Sequence, residues 1–312
     1  MMHNTVFVGG GPGGLSPLIS ALQSGRFDAL AALGVVIVER GERVGAGTIG
    51  RYAINSDSAA ETFISCIDGD SHARLVALRD HPLVSEIRGM RGSAIPLRMV
   101  GGLMDLIGEA IAGLIRDAGG EVLTGHEALS VQQRADGTWS VRVRGAEGPV
   151  REIHARSVVL ATGGHQPPAR LTTEPVAGEP LSPRYDATLM QSGDVLTHEG
   201  LARVADTLEG VAEPRIVVVG GSTSAVSAAH ALLYRLPRSH LGDGAITILH
   251  RRELRVYYVT PAEAEADGYL EFGPDDICPV SNRVFRFAGL RFDSRELVMR
   301  ARGIGGRPPE PR

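Results

Sequence analysis

The chain opens on a short apolar run, Thr5-Val6-Phe7-Val8, followed by a cluster of glycines. Apolar positions then recur at helical spacing from Leu15 to Leu22, and a second apolar run follows at Val35 to Val38. Strand, glycine turn, helix, strand is a βαβ unit, and a βαβ unit implies a parallel sheet. Leu103 to Ile115 repeats apolar residues every three and four positions and predicts an amphipathic helix. Glu121–Leu123, Leu129–Gln132 and Trp139–Val143 alternate as a β-meander does, with Asp136-Gly137 as a turn. Val158-Val159-Leu160 is a further buried strand, ending in Ala161-Thr162-Gly163-Gly164.

Residues 165–184 then carry Pro167, Pro168, Pro175, Pro180 and Pro183, which reads as a stiff, irregular connection. After it the opening pattern returns ~210 residues later: strand Ile216–Val219, a Gly/Ser turn, helix Ala225–Tyr234 and strand Ile246–Leu249. The expected fold class is therefore α/β with two Rossmann-like dinucleotide-binding domains. The first spans residues 1–170 and includes the meander, a proline-rich linker spans 171–212, and the second domain spans 213–302. Residues 303–312, rich in Gly, Pro and Arg, are expected to be a disordered tail.

The first turn is Gly9-Gly10-Gly11-Pro12-Gly13-Gly14, a complete G-x-G-x-x-G between a strand and a helix. Gly9 permits the tight turn, Gly11 lets the backbone approach a pyrophosphate, and Gly14 lets helix and strand pack closely. Backbone N–H groups at the helix N-terminus face the negative charge. Glu39 ends the second strand, placed to accept hydrogen bonds from a ribose hydroxyl. It lies 25 residues after Gly14, against a usual spacing of about 20, and Arg26 to Leu30 absorb the excess. A glycine-rich turn with a surface glutamate is the bland alternative.

The second turn, Gly220-Gly221-Ser222-Thr223-Ser224-Ala225, is a G-x-S-x-x-A variant whose hydroxyls add donors for phosphate. Its second strand ends in His250-Arg251-Arg252 instead of an acid. Thirty positions separate Gly9 from Glu39 and 31 separate Gly220 from Arg251, so acid and arginine are expected at equivalent places. An acid there selects a free 2′-hydroxyl, and an arginine accommodates a 2′-phosphate. The second site is thus expected to take NADPH, with a solvated basic face as the alternative.

Composition narrows the chemistry. The net charge of −4, with both signs interspersed, argues against nucleic acid as a partner. The longest apolar run, Ala29 to Val38, is too short to cross a bilayer, and no leader precedes the glycine loop at Gly9. The 312 residues contain no lysine, so Schiff-base chemistry and a P-loop lysine are excluded. Cys66 and Cys278 give no multi-cysteine metal site, and no metal is expected; a reduced, cytoplasmic location is.

Together these residues resemble the flavoproteins with two dinucleotide-binding domains, in which the first motif holds FAD and the second, inserted domain holds NADPH. Val158 to Gly163 is similar to that family's ATG motif, and Pro167 or Pro168 to its trailing proline. Disulfide reductases of this architecture need a C-x-x-C pair, and Cys66 and Cys278 are 212 residues apart. Baeyer–Villiger enzymes need a tryptophan near the linker, and the single tryptophan is Trp139. The branch that remains is the class B flavin monooxygenases, especially those hydroxylating amine nitrogens of ornithine or lysine.

What the resemblance implies is specific. NADPH reduces the flavin, O2 adds to form a C4a-hydroperoxyflavin, and oxygen passes to a small nucleophilic amine or amino acid in secondary metabolism. The implied flavin site comprises Gly9, Gly11, Pro12, Gly13, Gly14, Glu39, Arg40, Ser56, Thr162 and Gly163. Gly220, Gly221, Ser222, Thr223, Ser224, Arg251 and Arg252 are the implied NADPH site. Arg51 to Ser56 resembles the loop that sets an asparagine beside the flavin, which makes Asn55 the candidate catalytic residue; a turn-forming role is the alternative.

Pro279 to Phe285 is similar to the segment ending in N-E-x-F whose asparagine touches substrate. Asn282 is the implied contact, with Arg283 in place of the glutamate. Family members also return to the flavin domain after the NADPH domain, and this sequence reaches Arg312 without that return. The expected partners are a small-molecule substrate and O2, with homo-oligomerisation left open and neither nucleic acid nor membrane involved. Two other readings remain: an NADPH-dependent flavin oxidoreductase that passes electrons without inserting oxygen, and a non-catalytic sensor of the redox-cofactor pool.

Overall fold

The computed structural model describes residues 2–69, 71–176, 178–180, 182, 188–236 and 241–306. The chain divides into two compact units, Met1–Arg51 with Ala59–Gly164, and Tyr52–Ser58 with His165–Arg312.

In the first unit, β1 (Met2–Val8), α1 (Pro12–Gln23), α2 (Phe27–Ala32) and β2 (Val35–Val38) form the opening βαβ unit. The helix α3 (Leu97–Asp117) follows, then β3 (Glu121–Leu123), β4 (His126–Gln133), β5 (Trp139–Gly145) and β6 (Arg151–Leu160). One six-stranded sheet runs in the order β3-β2-β1-β6-β5-β4. The pairs β3·β2, β2·β1 and β1·β6 are parallel, and the meander β6·β5·β4 is antiparallel.

The apolar runs in β1 and β2 follow from this placement, because a parallel strand covered on both faces has no polar side. Phe7, Val35 and Ile37 pack against Leu15, Leu18 and the apolar face of α3. Val6, Val8, Val36 and Val38 pack the other way, against Val141, Val143, Ile153 and Ala155 of the meander. Strand β6 starts at Arg151, seven residues before the apolar run that marked it in the sequence. Its first half, Arg-Glu-Ile-His-Ala-Arg-Ser, is polar at every second position because only Ile153 and Ala155 face the core.

The loop from Val44 to Gly50 lies against α3 through glycines. A Cβ at Gly108 would overlap the Val44 carbonyl oxygen, and one at Gly101 would lie 2.6 Å from the Gly50 Cα. The Ala46 N–H donates to Asp105 Oδ1 at 2.8 Å.

The second unit repeats the motif with β7 (Ile216–Val219), α5 (Thr223–Arg235) and β8 (Ile246–Leu249), β7 and β8 being parallel. It is preceded by α4 (His198–Leu208) and followed by α6 (Phe292–Ala301). Helix α4 lies inside the stretch 171–212 expected as linker. Leu201 and Val204 are buried against Leu232 and Leu236, so helical spacing prevails over the proline-rich composition around it. Short structure also occupies 165–184, a helix at Ala169–Thr173 and a strand pair Pro175–Val176/Glu179–Pro180, while Pro183 lies outside the described residues. In the expected tail, Ile304–Gly306 forms a 3-10 turn, and residues 307–312 lie outside the described residues. Among the described residues no helix is long and apolar enough to cross a membrane.

Replacing Gly108 with alanine forces the backbone of α3 away from Val44. The expected result is a loss of roughly 1–3 kcal/mol in unfolding free energy, as for other overpacked cores. Urea unfolding of Gly108→Ala against the parent chain measures it.

Candidate functional site

In the first unit, β1 ends where α1 begins, and the turn between them is held by backbone. The Gly9 N–H donates to the Val38 carbonyl at 2.8 Å, tying the loop to β2. Gly9 has φ +104°, a left-handed value that favours glycine, and a Cβ there would overlap the Ala161 carbonyl oxygen. A Cβ at Gly14 would overlap the Gly9 carbonyl oxygen. These two glycines are therefore required by protein packing alone.

Gly11 differs. A Cβ there would meet only Gly47, at 3.6 Å, which is ordinary contact, so no crowding by protein accounts for the missing side chain. This open cradle is what a pyrophosphate lying against the loop requires. Helix α1 has Gly11 as N-cap without a side-chain cap, Pro12 at its start and no acid in its first turn. The N–H groups of Gly13 and Gly14 thus have no acceptor within the helix and suit an anion.

Glu39 is half-buried at the end of β2. Its Oε2 accepts from the Gly10 N–H at 2.7 Å and its Oε1 from the Gly41 N–H at 2.6 Å. The carboxylate is thereby fixed at the loop, where a ribose hydroxyl would meet it. The extra residues between Gly14 and Glu39 form α2, with Gly25 and Gly34 at left-handed φ on either side. Thr162 and Gly163 follow Ala161 directly and are brought to the same loop, since a Cβ at Gly9 would lie 3.3 Å from the Thr162 nitrogen. Arg40 is exposed one residue beyond Glu39. Sequence reasoning missed Gly45, Gly47 and Asp105. A Cβ at Gly47, whose φ is +55°, would lie 3.5 Å from the Gly11 Cα, so Gly47 walls the cradle. The signal was present as the repeated glycines of Val44-Gly45-Ala46-Gly47.

The second unit copies this closure. The Gly220 N–H donates to the Leu249 carbonyl at 2.8 Å, the counterpart of Gly9 on Val38. That pairing corrects the sequence alignment of the two loops: the residue equivalent to Glu39 is His250, and Arg251 is equivalent to Arg40. The contacts agree, because a Cβ at Gly10 would lie 3.3 Å from the Glu39 Cβ and one at Gly221 would lie 3.1 Å from the His250 Cβ. Counting from the loop alone missed the offset of one. Arg251 and Arg252 are exposed immediately beyond, as are Ser222 and Ser224, with Thr223 half-buried at the start of α5. Helix α5 also lacks a side-chain cap and a first-turn acid. A largely apolar cavity of about 420 Å³, lined by Leu233, Leu241, Ile246, Ile248, Leu297 and His250, lies beside β8.

Asn55 belongs to the second unit. Its Nδ2 donates to Asp293 Oδ2 at 2.9 Å, and the neighbouring Ser56 hydroxyl, buried, donates to the Ser58 carbonyl at 2.6 Å. Burial pushes the Asp57 carboxyl up, and the nearby charge and backbone N–H of Arg291 oppose the shift. Ser294 joins Ser227 of α5 at 3.1 Å.

Asn282 is exposed on the turn Cys278–Arg283 with φ +56°. The Cys278 N–H donates to the Arg283 carbonyl and the Asn282 N–H to the Cys278 carbonyl. On that turn the Ser281 hydroxyl, the Arg286 guanidinium and the N–H groups of Ser281 and Val280 lower the Cys278 thiol to about 6. Among the described residues no cluster of metal-ligating side chains occurs.

Two glycine loops, each closing a parallel βαβ unit, define a protein with two dinucleotide-binding folds. The chain belongs to the pyridine nucleotide-disulphide oxidoreductase family, whose model matches residues 3–268. It is 33% identical over 310 residues, 97% of its length, to a CMP-5′-(3-aminopropyl)phosphonate hydroxylase of Streptomyces rubellomurinus, of which it covers 68%.

Solved structures share the fold. With an ornithine N-hydroxylase of Kutzneria sp. 744, the TM-score is 0.58 at 16% identity, covering 96% of this chain and 68% of that one. With a cadaverine monooxygenase of Erwinia amylovora it is 0.60 at 12% identity, covering 97% and 66%. An ornithine hydroxylase from Pseudomonas aeruginosa gives 0.55 at 16%, covering 85% and 59%. The chain thus spans about two thirds of the length of the relatives it matches.

The lowered Cys278 thiol makes a direct expectation. Alkylation of Cys278 by iodoacetamide rises as pH passes about 6 and levels off above it, as the thiolate fills. Cys66, whose thiol burial pushes up, stays slow throughout. Mass spectrometry of the two peptides across pH 5–8 reads both rates.

Proposed function

We propose that the protein is an FAD- and NADPH-dependent monooxygenase that hydroxylates the nitrogen of a small amine. The observation that carries this reading is the pair of loop closures with opposite charge beyond them. A carboxylate is fixed at the first, and two exposed guanidinium groups follow the second. The first suits the adenosine ribose of FAD and the second the 2′-phosphate of NADPH.

Bound flavin supplies the redox chemistry, converting amine, O2, NADPH and a proton to hydroxylamine, NADP+ and water. The chain's own residues bind and orient. The N–H groups of Gly13 and Gly14 face the pyrophosphate, Glu39 holds ribose hydroxyls, and Thr162 and Gly163 close the loop from the side. Ser222, Thr223 and Ser224 with Arg251 and Arg252 hold the NADPH phosphates, and Asn55 meets the reacting groups. We place the enzyme in the cytoplasm.

For substrate, the reading favours an amine carried on an anionic phosphonate or nucleotide over a free amino acid. The 33% identical relative is named for such a compound. The turn bearing Asn282 ends in Arg283, and Arg286 follows three residues on.

The FAD-loaded protein is given NADPH, O2 and, in turn, a CMP-linked aminopropylphosphonate, free aminopropylphosphonate, ornithine and cadaverine, and hydroxylamine is assayed. Product from the nucleotide-linked amine in preference to the others is expected. NADPH consumption that yields hydrogen peroxide alone with all four overturns monooxygenation in favour of electron transfer. Arg251→Ala is expected to raise KM for NADPH by about 10- to 100-fold, the weight of a charged hydrogen bond, and to leave KM for NADH unchanged. Equal effects on both would refute the 2′-phosphate assignment.

A further inference from the structure

We propose that Asp293 is a positioning residue that fixes the direction of the Asn55 side-chain amide, so that Asn55 meets its reaction partner as a hydrogen-bond acceptor. The inference rests on the reading of Asn55 as the residue that contacts the reacting groups. A carboxylate has only acceptor oxygens, so the Asn55 group facing Asp293 Oδ2 at 2.9 Å is the NH2. An amide free to turn presents oxygen or nitrogen nearly alike, and one tied to a carboxylate does not. With one N–H held there, Asn55 Oδ1 is left to accept from a donor such as an amine N–H, a carboxamide N–H or a protonated oxygen.

The surroundings brace this contact at both ends. On the Asn55 side, Ser56 is 4% exposed and its hydroxyl bonds to Ser58 within the same segment. Asp57, two residues along, lies near the Arg291 charge, two residues before Asp293. The Ala53 N–H is bonded to the Leu196 carbonyl at 2.7 Å.

On the Asp293 side, Phe292 has φ +44°, an unusual conformation for a side chain of that size and a strain seen where the surroundings over-determine the backbone. The Arg291 guanidinium lies 4.1 Å from the centre of the Tyr257 ring and also donates to the Arg286 carbonyl. Ser294, 3% exposed, bonds to Ser227 one turn into α5, the helix that begins at the second glycine loop. Asp293 therefore takes its position from α5 and hands it to Asn55 across 238 residues of sequence.

A first-turn acid also stabilises a helix through its dipole, and that structural role predicts a change in stability only. The test separates the two with Asn55→Ala, Asp293→Ala, Asp293→Asn and the double alanine variant. Asp293→Asn keeps an acceptor oxygen and the shape of the site, which covers the case in which alanine fails to fold. Two readouts are used: the 1H–15N side-chain amide signal of Asn55, identified by its loss in Asn55→Ala, and the ratio of hydrogen peroxide to hydroxylamine at saturating NADPH and substrate.

The expected result is slow amide-proton exchange in the parent chain, exchange at least ten-fold faster in Asp293→Ala, and recovery in Asp293→Asn. The peroxide ratio rises at least five-fold in both single alanine variants, and the double variant adds nothing. If Asn55→Ala raises the ratio while a folded Asp293→Ala does not, the positioning inference is overturned and the role of Asn55 stands. If Asn55→Ala leaves the ratio unchanged, the catalytic reading of Asn55 falls and the inference falls with it.

Discussion

The contact on which the first unit depends is the approach of α1 to the end of β1, close enough that even a methyl group at Gly14 would strike the Gly9 carbonyl. Because the helix starts against the strand, its free N–H groups open on the end of the sheet. Ala161 packs beside the same two glycines, so β6 delivers Thr162 and Gly163 to that point. The hydrogen bond from Gly9 to Val38 brings β2 to the loop as well, and with it Glu39. Three stretches far apart in sequence converge on one turn because the turn has no side chains to hold them off.

The second unit relaxes this constraint. Ala225 stands where the first unit has Gly14, and a Cβ at Gly220 would lie 3.3 Å from the alanine methyl, so helix and strand are set slightly further apart. The closure onto the second strand is unchanged at 2.8 Å, and what differs is the charge that follows. A carboxylate held by two backbone N–H groups cannot tolerate a phosphate beside it, and a pair of exposed guanidinium groups attracts one. A single backbone scheme is thus used twice, and the side chains after it set which nucleotide each copy suits.

How much of this the sequence discloses depends on range. The runs Thr5–Val8 and Val35–Val38 are legible because burial on both faces leaves them apolar; Ile216–Val219 and Ile246–Leu249 are legible because they are short, mostly β-branched runs, although every second residue of each is exposed. The glycine loops are legible because they sit between such runs. The first half of β6 is not, since a strand with one wet face and a mixture of Arg, Glu and His resembles a loop. Helix α4 is masked by the prolines before it. The packing of Gly45 on Asp105, and the bond from Asn55 to Asp293, join residues whose types carry no signal of their distant partners. The off-by-one between Arg251 and Glu39 has a similar origin, because counting residues cannot see which carbonyl accepts the loop's N–H.

Strand β6 has a further consequence, for the order in which the molecule assembles. On one edge it meets β5 across a short turn, and on the other it meets β1 in parallel from Met2↔His154 to Val8↔Leu160. Loop closure makes the local pairing fast and the distant one slow. During synthesis at roughly 5–20 residues per second, β1 is made on the order of ten seconds before the strand that completes its second edge. Over that interval Val6, Phe7 and Val8 stand with a row of unpaired backbone groups, the kind of edge at which chains pair with one another instead. The meander that decorates the sheet in the finished protein is therefore also its late safeguard, because only its arrival removes that edge.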